Sequence, residues 1–333
     1  MPPQRLKRIV ITAGDPCGIG PEVILKALRR AAQPKNVQAI VIGERAVFRA
    51  LAARLGLSEP AWAMTRSVQA AASCQAKRVL LDCRRPGRFR VGHSSRAAGA
   101  ASLAYLDAAL ALWKAGALDA LVTAPVTKWA VAQARPGFIG HTEYLAGALR
   151  APDVVMMFAS EQLRVALLTR HLPLRRVPAA VTSVRLERTA RITARALSDW
   201  FGIRRPRLAL CALNPHAGEG ERTGEEARRF VPALRRLRAS GVRCEGPFAA
   251  DGFFAAHVAA GSRAAYDAIL CPYHDQGLIP FKMLARDRGC QVSLGLPFVR
   301  TSPDHGSALD IAGKGVADPG SMAYALALAM RLC

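Results

Sequence analysis

Short runs of apolar and β-branched residues alternate along the chain with longer segments in which apolar positions recur every three or four residues. The short runs are continuously apolar, which is typical of strands that are buried on both faces of a parallel sheet. The longer segments have the period of helices that cover such a sheet. The predicted strands are residues 8–12, 37–42, 79–82, 120–123, 154–158, 165–169, 208–213, 268–271 and 292–294.

Helices are predicted between these strands. An alternation of strands and helices is typical of an α/β fold built from βαβ units around a mostly parallel sheet. The predicted helices are residues 21–31, 46–55, 97–115, 186–201, 225–239 and 321–332.

The chain has 333 residues, which exceeds the usual domain size of about 100–200 residues, so we expect two domains. A linker-like stretch at residues 135–140 favours a boundary near residue 130. The chain after Arg300 returns to glycine-rich turns and one final helix, and we expect it to pack back on the first domain. The predicted first domain is therefore residues 1–130 with 301–333, and the second is residues 131–300.

Composition excludes several classes of protein. Hydrophobic residues make up 51% of the chain and charged residues 21%, which excludes an intrinsically disordered protein. The 8 cysteines show no C-x-x-C pair, so the sequence predicts neither a disulfide framework nor a cysteine zinc site. No segment approaches the roughly 18–20 consecutive apolar residues of a membrane helix, and the apolar stretch at residues 9–12 is too short for a signal-peptide core. We expect a soluble cytoplasmic protein with no membrane partner.

The charge is strongly positive, with 47 Lys+Arg against 24 Asp+Glu and a net charge of +23. Such a charge is compatible with a nucleic-acid partner or an anionic substrate. The basic residues are scattered, however, and only 6% of residues are aromatic, so no stacking platform for bases is recognisable. Enrichment of arginine on solvated faces explains the charge better than nucleic-acid binding does.

A glycine-rich turn follows the first predicted strand, from Ile11 to Glu22. A helix begins there with Pro21 at its first position, where the missing N–H of proline costs nothing. The turn could direct backbone N–H groups toward an anion, but it matches neither the G-x-G-x-x-G nor the Walker pattern. A ligand-binding turn and a tight structural turn are equally compatible with the pattern.

Three histidines share one local context. His171, His216 and His274 each follow a predicted strand. Ligands of open parallel sheets gather at the carboxyl ends of the strands, so the three imidazoles predict a three-histidine metal site with an open position for substrate or water. Asp275 and Asp251 are candidates for a further ligand or for orienting a histidine.

Further candidate residues lie in loops rich in Gly, Pro, Asp and His, where functional sites are common. His141 and Thr142 lie in Gly140-His-Thr-Glu143, although Thr142 is equally compatible with a helix cap. An acidic loop runs from Asn214 to Gly220. Lys282 ends Tyr273-His-Asp-Gln-Gly-Leu-Ile-Pro-Phe-Lys, and Arg300 begins Arg-Thr-Ser-Pro-Asp-His-Gly.

In these motifs, taken in order, the chain resembles the PdxA family, the 4-hydroxythreonine-4-phosphate dehydrogenases of vitamin B6 biosynthesis. The resemblance extends from Thr12-Ala-Gly-Asp-Pro to Arg300-Thr-Ser-Pro-Asp-His-Gly. It implies a fold like that of isopropylmalate and isocitrate dehydrogenases, with two α/β/α domains and a cleft between them. It also implies a homodimer whose active sites are built across the interface.

The resemblance assigns roles to individual residues. His171, His216 and His274 would bind one divalent ion, namely Zn, Mg or Co, and Asp275, Asp251 and Lys282 would serve catalysis. The substrate would be bound by His141, Thr142, Lys282, Gln291 and Arg300. The chain departs from the family at Gln291, where Asn is usual, and at Asp251-Gly252, where Asp-Thr is usual.

The implied activity is the oxidation of 4-phosphooxy-L-threonine by NAD or NADP, with loss of CO2 to give 3-amino-2-oxopropyl phosphate. A paralogous dehydrogenase acting on a phosphorylated sugar acid or a cyclic dihydrodiol dicarboxylate is the first alternative. A basic nucleic-acid-binding protein and a metal-dependent hydrolase that uses the same three histidines are further alternatives.

Overall fold

The computed structural model describes residues 5–85 and 87–333, and the chain divides into two compact units. The first unit comprises the chain up to Arg150 together with Pro297–Cys333, and the second comprises Ala151–Leu296. The chain therefore changes unit after Arg150, 20 residues beyond the predicted boundary near residue 130, and after Leu296, four residues before the predicted boundary at residue 300.

A parallel sheet forms the centre of the first unit, with strand order β3-β4-β2-β1-β5-β12. Ile9, Ile11, Ile40 and Ile42 are fully buried, because helices cover both faces of the sheet. Burial of one such side chain contributes about 1.5–3 kcal/mol to the free energy of unfolding. The strands are β1 (Lys7–Thr12), β2 (Val37–Gly43), β3 (Ala63–Thr65), β4 (Arg78–Asp82), β5 (Ala120–Thr123) and β12 (Val299–Ser302).

The helices of the first unit pack against this sheet and against each other. The longest packs against β1 and β2, and the final helix packs against β5 and β12. The chain-terminal segment thus supplies both the last strand in this order and a covering helix to the first unit. The helices are α1 (Gly20–Arg30), α2 (Arg45–Arg54), α3 (Val68–Ser73), α4 (Arg96–Lys114), α5 (Lys128–Ala134), α6 (His141–Ala148) and α12 (Gly320–Leu332).

The second unit has its own sheet, with strand order β11-β6-β7-β10-β8-β9. The second strand in this order, β6, is antiparallel to both of its neighbours, whereas the other pairs are parallel. Phe158, Val165, Ile269 and Phe281 belong to its buried core. The strands are β6 (Val155–Ser160), β7 (Arg164–Leu167), β8 (Arg207–Cys211), β9 (Arg243–Phe248), β10 (Ala268–Cys271) and β11 (Gly289–Leu294).

The helices of the second unit are α7 (Val177–Ala180), α8 (Ser183–Asp199), α9 (Val231–Ala239), α10 (Ala250–Ala260) and α11 (His274–Ala285), with short 3₁₀ turns at Leu174–Arg176, Pro215–Gly218 and Gly261–Arg263. The helix predicted over residues 225–239 is interrupted, because a π-type turn at Glu226–Phe230 precedes α9. Pro232 lies at the start of α9 and lacks the N–H that a continuous α-helix would use. The α/β class is confirmed for both units.

One observation differs from the sequence predictions in a way that matters for the site. Helix α11 was not predicted, since Gly277 and Pro280 lie inside it and both disfavour helix interiors. His257 on α10 is buried, and its ring stacks on Phe253. No helix within the described ranges is long and apolar enough to cross a membrane.

Candidate active site

The three predicted metal-binding histidines follow three neighbouring parallel strands of the second unit. His171 follows β7, His274 follows β10 and His216 follows β8. Because β10 pairs in parallel with both of the other strands, all three carboxyl ends lie at one edge of the sheet. The three histidines, each of which follows an apolar run in the sequence, therefore lie at the same edge of the sheet.

Two of these histidines lie side by side. The backbone N–H of Leu168 donates to the carbonyl of Cys271, and the hydroxyl of Thr169 donates to the carbonyl of Pro272 at 2.7 Å. These bonds continue the pairing of β7 and β10 beyond the strands themselves. As a result, the ring centroids of His171 and His274 are 5.8 Å apart.

A carboxylate accompanies the Nδ1 atom of two of the histidines. Nδ1 of His274 lies 2.6 Å from Oδ1 of Asp275, and Nδ1 of His216 lies 2.8 Å from Oε1 of Glu219. A carboxylate at Nδ1 favours the tautomer with the proton on that atom and leaves the lone pair of Nε2 for another partner. This is the arrangement that metal-binding histidines commonly have.

The loop that carries His216 is anchored by a carboxylate to which the sequence assigned no function. Glu226 is buried, and its Oε1 accepts the backbone N–H groups of Leu213 at 3.0 Å and Asn214 at 2.9 Å. Its Oε2 accepts the side-chain amide of Asn214 at 3.0 Å. Burial alone would raise the pKa of Glu226, but these donated hydrogen bonds outweigh it and the pKa is lowered. The only sequence signal was an acidic residue at a helix start, a position that needs no function.

The three histidines do not form a metal-binding group within one chain. Across residues 5–85 and 87–333, no set of three His, Cys, Asp or Glu side chains is arranged so that it could hold a metal ion. His216 has a left-handed backbone conformation, with φ of 49°, on an exposed loop. The assignment of all three histidines to one metal ion therefore stays a prediction.

The first unit holds a second group of predicted residues. Arg300 on β12 is only 2% exposed, and its guanidinium donates to the hydroxyl of Thr123 on β5 at 2.5 Å. His141 and the buried Thr142 begin α6. Burial, then the nearby cations of Arg300 and Lys128, lower the pKa of His141 well below its ordinary value, so the imidazole is neutral at neutral pH.

Three further predicted residues lie elsewhere in the second unit. Lys282 is exposed on α11, the helix that His274 begins. Gln291 is half-buried on β11, and its side-chain amide lies 3.4 Å from the hydroxyl of Ser293. Asp251 is exposed near the start of α10.

The glycine-rich turn between β1 and α1 is a packed structural turn. A Cβ on Gly14, whose φ is +69°, would lie 2.2 Å from the carbonyl oxygen of Pro125, so no other residue fits there. The backbone N–H of Cys17 donates to the buried carboxylate of Asp15, and that of Ile19 donates to the carbonyl of Ser307. Because these groups are paired within the unit, the structure favours the structural interpretation over anion binding.

The family profile described as "Pyridoxal phosphate biosynthetic protein PdxA" matches residues 35–329 of the chain. The chain belongs to the PdxA family. Among relatives of this PdxA-family chain, the 4-hydroxythreonine-4-phosphate dehydrogenase of Methylorubrum populi is 45% identical over 97% of this chain and 94% of its own length.

Solved structures give the PdxA-family chain two further points of comparison. The 4-hydroxythreonine-4-phosphate dehydrogenase of Klebsiella pneumoniae superposes with a TM-score of 0.83, at 33% identity, over 98% of this chain and 99% of that one. A terephthalate 1,2-cis-dihydrodiol dehydrogenase of Burkholderia xenovorans superposes with a TM-score of 0.65, at 29% identity, over 98% of both chains.

Proposed function

We propose that this chain is a dehydrogenase that oxidises 4-phosphooxy-L-threonine with NAD or NADP, releasing CO2 and 3-amino-2-oxopropyl phosphate, in the synthesis of pyridoxal phosphate. The observation that carries this proposal is the near full-length similarity to relatives named 4-hydroxythreonine-4-phosphate dehydrogenase, as in the match over 97% of the chain. The clustering of polar residues at strand ends supports it independently, because such edges bind ligands in α/β sheets.

The substrate carries a phosphate, a carboxylate and an ammonium group. Arg300 can bind an anionic group in a forked manner through two N–H groups, whereas Lys282 supplies a point charge. His141 is neutral, so it can donate one hydrogen bond and accept another. We assign these three residues, with Thr142 and Gln291, to substrate binding.

His171, His216 and His274 are the proposed ligands of one divalent ion. The chemistry of these donors fits a metal. The carboxylates of Asp275 and Glu219 each lie at hydrogen-bond distance from the Nδ1 atom of a histidine, which leaves the lone pair of Nε2 available for the ion. When bound, such an ion supplies Lewis-acid stabilisation of negative charge on the substrate oxygen. The nicotinamide, when bound, accepts the hydride.

The residues of the chain then orient and hold the reactants. Asp275 acts through His274 and is a positioning residue in this scheme. Asp251 and Lys282 are exposed in the second unit and remain candidates for moving a proton or for contacting the substrate. We also propose a homodimer in which a second copy completes the metal site, since residues 5–85 and 87–333 of one chain hold no three-donor group.

The direct test is to mix the purified protein with NAD or NADP and 4-phosphooxy-L-threonine and to follow the absorbance of the reduced cofactor. We expect turnover with the phosphorylated substrate, and a loss of at least about 100-fold in kcat/KM for His274→Ala, as expected for removal of a metal ligand. The His93→Ala variant, which changes an exposed histidine of the first unit, should retain activity. Absence of cofactor reduction with every phosphorylated hydroxy acid tried would contradict the proposal.

A dihydrodiol dicarboxylate is the second candidate substrate. It is favoured by the similarity to the terephthalate dihydrodiol dehydrogenase at 29% identity, and Gln291, which departs from the usual Asn, is the position at which we test it. The side chain of Gln291 is one methylene longer than Asn, which changes the reach of the amide. If the threonine derivative is the substrate, Gln291→Asn should retain or improve its turnover. If the unaltered enzyme prefers the dihydrodiol, the proposed substrate is wrong, whereas the membership of the PdxA family is unaffected.

A further inference from the structure

Lys128 lies in the same corner of the first unit as His141 and Arg300, although the sequence motifs did not single it out. It is the first residue of α5, which follows β5. A Cβ placed on Gly140 would lie 3.1 Å from Oε2 of Glu143 and 3.8 Å from Cε of Lys128. The end of the lysine side chain therefore runs beside the residue that directly precedes His141.

The fold gives this lysine no evident structural task. It is exposed, and no hydrogen bond or ion pair joins its ammonium group to another residue in the described part of the chain. A cation in the first turn of a helix also opposes the helix dipole, which favours negative charge there. An exposed ammonium group without such a bond is available to a ligand.

The surroundings of Lys128 offer several donors to one anion. The guanidinium of Arg300 is 2% exposed, and Nε2 of His141 is buried without a hydrogen-bond partner among residues 5–85 and 87–333. The charges of Arg300 and Lys128 both act on the imidazole of His141. Two cations that act on a neutral imidazole with an unused nitrogen are suited to an anionic oxygen group.

We propose that Lys128 is a further substrate-binding residue, which binds an anionic oxygen group of the substrate, phosphate or carboxylate, together with Arg300 and His141. The identity of the substrate rests on the proposed function, whereas the anion chemistry rests on the geometry of this corner. Arg300 supplies a buried fork of donors, His141 supplies a neutral donor, and Lys128 supplies the second positive charge from the solvent side.

The kinetic test compares Lys128→Met with Lys128→Arg and with the control Lys35→Met, which removes a charge from an exposed loop of the same unit. We expect Lys128→Met to lower kcat/KM for 4-phosphooxy-L-threonine by about 10- to 100-fold, as for loss of a charge-assisted hydrogen bond. Lys128→Arg should recover much of this loss and Lys35→Met should show none. A smaller loss with dephosphorylated 4-hydroxy-L-threonine identifies phosphate as the bound group, and equal losses identify the carboxylate.

A binding test separates this inference from the proposed function, because it requires no turnover. The ring signals of His141 are followed by NMR while inorganic phosphate, and in a parallel titration acetate, is added to the protein without cofactor or substrate. We expect Lys128→Met to weaken anion binding and to raise the pKa of His141, since a neighbouring cation has been removed. The thermal unfolding midpoint should be unchanged. If anion titrations, the pKa of His141 and kcat/KM are all the same in Lys128→Met and the unaltered protein, the inference is overturned, whether or not the enzyme oxidises the proposed substrate.

Discussion

Individual residues determine whether the second unit can bind a metal. His171 and His274 have ring centroids 5.8 Å apart because the segments after β7 and β10 remain hydrogen bonded to each other. The sequence identified both residues by their position after apolar runs. It could not identify Glu219 as the partner of His216, because that contact depends on the left-handed backbone at His216 and Ala217.

We predict that protein purified without chelator contains about one divalent ion per chain, the usual stoichiometry of such a site. His171→Ala, His216→Ala and His274→Ala should each lower this content, because each removes a ligand. Asp275→Asn should weaken metal affinity by about 10- to 100-fold, since it disturbs the orientation of His274. Elemental analysis measures the content, with His93→Ala as the control. Normal metal content in all three histidine variants would refute the ligand assignment.

At the scale of elements, the loop between β8 and α9 depends on one buried carboxylate. Glu226 holds the backbone of Leu213 and Asn214 and so fixes the start of the segment that carries His216. The sequence predicted a plain helix over residues 225–239, because helical periodicity does not reveal a π-type turn. Similarly, the sequence did not predict β12, because this strand contains Arg300 and a charged residue is unusual in a buried strand.

We predict that Glu226→Gln lowers the free energy of unfolding by about 1–3 kcal/mol at neutral pH, because buried N–H groups lose their charged acceptor. The folded-state pKa of Glu226 lies below its ordinary value of 4.5, so its contribution is fully present above pH 4.5 and is lost as the pH falls through the folded-state pKa. The difference between the two proteins should therefore shrink in acid. Urea unfolding at neutral and acidic pH measures it, with the exposed Glu161→Gln as the control. A difference that stays constant in acid would contradict this account.

At the scale of the whole molecule, the proposed homodimer is the arrangement to test, since the three histidines form no metal-binding group within the described part of one chain. If His216 of one copy joins His171 and His274 of another, two inactive variants can complement each other. Co-expressed His216→Ala and His274→Ala chains should then regain about a quarter of the normal activity, because half of the randomly formed dimers contain one intact site.

The matched control for this prediction is the pair His171→Ala and His274→Ala. Both positions belong to the same side-by-side pair within one chain, so mixed dimers should regain no activity. Absence of recovery with the first pair, in mixed dimers verified by two affinity tags, would contradict a shared site.

The sequence by itself determined the α/β class, the positions of most inner strands and the residues that follow them. It did so because buried parallel strands require continuous apolar runs, and the local spacing of a histidine from such a run is independent of the rest of the fold. Tertiary structure alone decided which of these residues meet. The pairing of His171 with His274 depends on strand order. The corner formed by Lys128, His141 and Arg300 joins segments that are far apart in the chain. The acceptor role of Glu226 depends on its burial, and local periodicity encodes none of these three features.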